Sequence, residues 1–103
     1  MTYRNRKHLD LVHDCPCMCR FKHDCAGQTV PMHSNALAHG RGAYFKAPDW
    51  AVAAGCKDAH DYIDGRKGKW SRDEKRSEWF LAFVRTQDWL FENEKLVVNR
   101  EAA

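Results

Sequence analysis

The chain holds 103 residues, with 17 lysines and arginines against 14 aspartates and glutamates, a formal charge of +3 and a pI near 8.7. That length is one domain with a modest hydrophobic core, of the size that commonly gains stability from a metal or from disulfides. Mild basicity permits nucleic acid as a partner without demanding it. No apolar stretch approaches the roughly 18 residues of a membrane span, and the opening MTYRNRKHLD lacks the apolar centre of a signal peptide. No membrane association is expected, and a cytoplasmic location is. In that compartment cysteines more often bind metal than pair, and five of them cannot all pair within the chain.

In chain order, Lys7 to His13 is compatible with a helix, its Leu9, Leu11 and Val12 apolar, ended by Asp14 and Pro16. The cysteine-dense run Cys15-Pro16-Cys17-Met18-Cys19 and the segment Arg20 to Gly27 read as a loop or irregular hairpin that takes its order from a metal. Thr29 to His39 alternates loosely and predicts a strand, with Leu37 inward and His39 at its end. Gly40-Arg41-Gly42 and Lys46-Ala47-Pro48-Asp49 mark a loop, and Trp50 to Ala54 is a short apolar run, either a second strand or the lead-in to a helix. Lys57 to Asp64 predicts that helix, with Gly65 placed for a left-handed cap. After the basic loop Arg66 to Trp70, Ser71-Arg72-Asp73-Glu74 spells a capping box, which starts a long helix from about Arg72 to Glu92. On it Trp79, Phe80, Phe83, Val84, Leu90 and Phe91 recur at helical spacing and read as core. Arg72, Lys75 and Arg76 are balanced by Asp73, Glu74 and Glu78 and read as a solvated face. Lys95 to Ala103 is a tail with a short strand expected at Leu96 to Val98. The expected class is α+β over residues 1–103: a helical lead-in at 1–14, a ββα core at 15–70, a C-terminal helix at 71–92 and a tail at 93–103.

Three groups of residues carry chemistry. His60 and Asp64 stand four apart and share a helix face, where an imidazole and a carboxylate can grip one divalent cation and leave other positions open. With His39 upstream as a base near neutral pH, this suggests metal-dependent phosphodiester cleavage, although the pair could equally solvate and cap a helix end. Cys17, Cys25 and Cys56 suit a zinc site, but Ala59 stands where a C-x-x-C pair would supply a fourth donor. Cys19, Cys15 or His23 could replace it; otherwise the cysteines are buried small hydrophobes. Arg41, Lys46, Arg66 and Lys67, in the two loops flanking the proposed site, could follow a phosphate backbone or simply face solvent.

Cys17 and Cys25 at their spacing, Ala36-Leu37-Ala38-His39, Gly40-Arg41-Gly42, Lys46-Ala47-Pro48-Asp49 and the segment Gly55 to Arg66 stand in an order that resembles a known family. It is that of the small phage and prophage nucleases of the Ref type, RecA-dependent DNA endonucleases with an HNH-like ββα-metal core. The lead-in Arg6 to Val12 before Cys15-Pro16-Cys17 extends the resemblance, which spans residues 4 to 92. It implies an HNH-like fold and a hydrolase acting on DNA in phage recombination or replication, with Mg²⁺ or Mn²⁺ at the catalytic site and a structural Zn²⁺. His39 becomes the general base, His60 and Asp64 the metal-side residues, and Asp49 an orienting group; Cys17, Cys25 and Cys56 become three zinc ligands. DNA is the implied partner, a recombinase filament a second, and the host cytoplasm the implied location for a phage-encoded chain. Two positions depart from the family pattern. Ala59 replaces a cysteine of C-x-x-C-H, and Ala38 cannot supply the ligand that often precedes the base histidine. Both leave room for a catalytically inactive, zinc-stabilised module that binds DNA or protein.

Overall fold

The computed structural model describes residues 3–36 and 47–98. The class is α+β: α1 (Arg6–Asp14), β1 (Thr29–His33), β2 (Val52–Cys56), α2 (Lys57–Ile63) and α3 (Arg72–Glu92). Asn5 starts α1 by accepting from the Lys7 and His8 amides, which satisfies two of the donors a helix leaves orphaned at its N-terminus. Cys15 then turns extended and Pro16, which has no amide proton, follows it. The segment from Cys17 to Gly27 forms no helix or strand, as its composition predicts.

β1 and β2 pair antiparallel, with Thr29 opposite Cys56 and His33 opposite Val52. Every residue of β2 is buried, because α1, α2 and α3 all pack on it. Its sequence, Val-Ala-Ala-Gly-Cys, is small enough to allow that approach. A Cβ on Gly55 would lie 2.6 Å from the Met32 sulfur, so a side chain there would displace the core methionine. Two buried polar bonds join the long helix to the sheet: the Ala54 amide donates to Thr86 Oγ1 at 2.9 Å, and the Trp79 indole donates to the Met32 carbonyl at 2.9 Å.

Four sequence expectations shift. β1 stops at His33 rather than His39: the Ser34 hydroxyl accepts from the Ala36 amide while the Ser34 amide donates to the Ala51 carbonyl, which turns the chain. β2 begins at Val52 rather than Trp50 and runs on to Cys56, so the apolar run is a strand that feeds α2 directly. On α3 the buried residues are Trp79, Ala82, Thr86 and Leu90, while Phe80, Val84 and Phe91 stand 52%, 49% and 48% exposed. The two strands among the described residues offer a narrow strip, so the helix buries a single seam, with Phe83 packed partly against it, rather than a broad aromatic face. The capping box at Ser71 and the limits of α3 fall where the sequence puts them. Leu96 to Val98 form no strand; Lys95 and Leu96 donate to the Leu90 carbonyl past Glu94, whose φ of 56° closes the helix. Leu96 then packs on the core. Among the described residues no helix is long and apolar enough to cross a membrane.

Candidate functional site

At the N-terminal end of α2, Cys17, His23, Cys25 and Cys56 bring their ligand atoms within 4.8 Å of one another. Three cysteines and one histidine are the donors of a closed tetrahedral zinc site. The surroundings fit that role. His23 Nδ1 donates to the Phe21 carbonyl at 2.7 Å, which leaves Nε2 with the lone pair, 3.7 Å from Cys17 Sγ. A hydrogen bond with the Cys19 thiol holds the Cys17 thiol well below its ordinary pKa; burial opposes, and the Cys19 and Cys56 amides and His23 add to the lowering. A thiolate is the form that ligates metal. His23 is therefore the fourth donor. Cys15 and Cys19 are buried in the apolar core instead, and burial raises the Cys15 thiol to about 12. The loop is tied to the helix from outside as well: the Asp24 amide donates to Asp58 at 2.8 Å, and Lys67 closes an ion pair on the same carboxylate.

Asp64 follows the last residue of α2, about 12 Å along the axis from Cys56 at the standard helical rise. His60 Nε2 lies 3.0 Å from Asp64 Oδ2, so the i, i+4 pair shares one face as expected. Asn35 reaches Asp64 Oδ1 at 3.4 Å and Arg66 comes within 3.8 Å of Oδ2, which brings the end of β1 to the end of α2. His39, Arg41 and Lys46 lie outside the described residues. Asp49 bonds to Asn5, His33 and Arg4 rather than to His60 or Asp64. It accepts from the Asn5 amide at 2.7 Å, lies 3.0 Å from His33 Nε2 and 3.6 Å from Arg4. Burial works against its charge, but His33, Asn5 and Arg4 outweigh that and hold the carboxyl below its ordinary pKa.

A cleft of about 650 Å³ opens between the end of β1, the end of α2 and the first turns of α3. Asp64, Arg66, Arg72, Lys75, Arg76 and Phe80 line it, over Trp79 and Ile63. Arg72, Lys75 and Arg76 are solvated, as the sequence suggests, and they line this cleft from one face of α3, at i, i+3 and i+4. Of the loop cations named from sequence, Arg66 lines this cleft and Lys67 turns to Asp58 and to the Tyr62 ring.

The chain is similar in structure to a protein from Escherichia coli str. K-12 substr. MG1655 that is described provisionally as a bacteriophage protein. The TM-score is 0.61 at 19% identity, over 82% of this chain and 96% of that one. At that identity the likeness shows the fold. No protein family and no curated protein matches the sequence.

Two residues stand out that the sequence reading assigned to no site or left as one choice of three. His33 takes the strand-end position, and the signal was Ser34-Asn35, a turn pair that ends the strand before it reaches His39. His23 stands two residues before Cys25, the same spacing at which Cys15 and Cys19 flank Cys17, so spacing left the three equal and the fold selects His23.

Proposed function

We propose that this chain is a metal-dependent endonuclease of the phage type, cleaving DNA phosphodiester bonds from an HNH-like ββα core. The observation that carries the reading is the His60–Asp64 pair at the edge of a cleft lined by four cations, next to the end of β1. The order β1, β2, α2 and the likeness to a bacteriophage protein's fold agree with it. In this reading Cys17, His23, Cys25 and Cys56 hold a structural zinc that fixes the loop before β1 to the start of α2.

Asp64 and His60 are the residues that hold Mg²⁺ or Mn²⁺, which when bound neutralises charge on the phosphate and on the departing oxygen. Arg66 and the cations of α3 draw the strand in and orient it. A histidine at the end of β1 accepts the proton of the attacking water. Among the described residues that histidine is His33. Its Nε2–H is directed at Asp49, which fixes the tautomer and leaves Nδ1 as the accepting nitrogen. His39 remains the base that the family resemblance assigns.

The test is nicking of single- and double-stranded DNA by zinc-loaded protein with added Mg²⁺ or Mn²⁺, with and without a recombinase filament. Cleavage is expected to fall at least a hundredfold, with folding retained, in whichever of His33→Ala and His39→Ala removes the base. Wild-type protein that binds both ions yet never nicks DNA under any of these conditions sinks the enzyme reading. One observation favours the second reading, a zinc-stabilised binding module: Asp64 is already engaged by His60, Arg66 and Asn35, so its carboxylate is satisfied without an ion.

A further inference from the structure

Resting on that nuclease reading and deepening it, we infer that the cleft takes unpaired nucleotides, with Arg66, Arg72, Lys75 and Arg76 on the phosphates and Phe80 as the stacking face for a base. Three observations converge on this. The first is charge: Arg72, Lys75 and Arg76 make no ion pair among the described residues, and Asp64, the carboxylate lining the cleft, is already held by His60 and Arg66. The second is position. All three cations sit in the opening turns of α3, where the helix dipole disfavours positive charge, so helix stability does not account for them. The acids of those turns lie elsewhere: Glu74 closes the capping box, and Asp73 and Glu78 line a separate groove with Trp70.

The third observation is the aromatic ring. Arg72, Lys75, Arg76, Trp79 and Phe80 follow one another at i, i+3, i+4, i+7 and i+8, so cations and rings share one face of the helix. Trp79 is the floor: 5% exposed, bonded to the Met32 carbonyl and stacked on Phe83 at 5.0 Å. Phe80 lines the cleft with half its surface open, whereas Leu81, Val84 and Phe91, the other exposed apolar residues of α3, do not line it. An open ring among unpaired cations offers what a single strand needs, phosphate neutralisation and a π-face for a base. A cleft of about 650 Å³ has the size of a small-ligand site and admits a nucleotide with its flanking phosphates, not the breadth of a duplex.

The experiment measures binding of fluorescent oligo(dT) and of a duplex of equal length by anisotropy, on zinc-loaded protein without Mg²⁺ or Mn²⁺, at about 50 to 200 mM salt. The single strand is expected to bind at least tenfold more tightly. Phe80→Ala should weaken that binding about 5- to 150-fold and leave the salt slope unchanged, with Phe80→Trp restoring it and Phe80→Leu not. Arg72→Ala with Arg76→Ala should instead flatten the slope by about 1.4. Circular dichroism and melting of each variant check that it is folded. Equal affinity for duplex, or a Phe80→Ala protein that binds as wild type, overturns the inference. So does an assembly of two copies that buries Phe80. Because no cleavage is needed, strand binding without nicking defeats only the catalytic reading, and nicking with no effect at Phe80 defeats only this one.

Discussion

The two ends of α2 are built on opposite terms. At the Cys56 end four donors from a loop and a strand lie within 4.8 Å of one another, and the Cys56 amide donates to the Cys17 thiol. At the Asp64 end a single carboxylate, held by His60 and Arg66, lines an open cleft together with Arg72, Lys75 and Arg76, which make no ion pair among the described residues. The first arrangement spends its chemistry on holding the chain together. The second leaves charge available to something outside it. The proposed structural and functional centres thus sit at opposite ends of one helix of seven residues.

The comparison can be broken or sharpened in several ways. The largest effect belongs to the metal end. Cys56→Ser, or removal of the ion by a strong chelator at neutral pH, should abolish cooperative unfolding, since structural zinc contributes on the order of 10 kcal/mol to small domains. Elemental analysis should fall from one zinc per chain to none alongside the loss of the melting transition. A chain that melts unchanged without metal would remove the distinction between the two ends. Next come two neighbours on α3. Trp79→Ala should cost about 3–5 kcal/mol in chemical denaturation, and Phe80→Ala less than about 0.5, since the second ring is not core. Thr86→Val strands the Ala54 amide without its acceptor and should cost about 1–3 kcal/mol in the same experiment.

The smallest effects are those of pH. Burial holds the His8 imidazole below its ordinary 6.5, with Asp49 opposing, and its Nε2 has no hydrogen-bond partner among the described residues. A lowered histidine contributes stability that is present above 6.5 and lost as pH falls through the folded value, because the unfolded chain takes up the proton first. Asp49 is lowered too, so its contribution is present above the ordinary 3.8 and disappears only below it. Melting temperature should therefore fall in two stages on acidification. His8→Gln should flatten the upper stage and Asp49→Asn the lower one; a melting temperature flat between pH 7 and 5 in wild type would contradict the first.

Much of this was legible in local chemistry. The Ser71 capping box and Gly65 mark their helix ends because caps depend on a few adjacent residues. The i, i+4 spacing of His60 and Asp64 needs only a helix to become a contact. Three of the four residues that could hold a metal, Cys17, Cys25 and Cys56, were likewise named from the sequence. What was not legible depends on partners far along the chain. Which rings of α3 are buried follows from the narrowness of a two-stranded sheet, which no window of α3 encodes. The cations at Arg72, Lys75 and Arg76 balance Asp73, Glu74 and Glu78 when counted, and separate from them only when placed on the helix face by face. Asp49 was expected to orient the site, and the partner it meets, His33, became visible only once the strand end was known.

The most direct test of the account is a nicking assay on single-stranded DNA that compares wild type with Asp64→Asn, both verified to carry one zinc per chain. Cleavage that starts in wild type on adding Mn²⁺ and stays absent in the equally zinc-loaded variant is the predicted result. Equal cleavage by both proteins, or none by wild type, would contradict the assignment of the Asp64 end as the catalytic one.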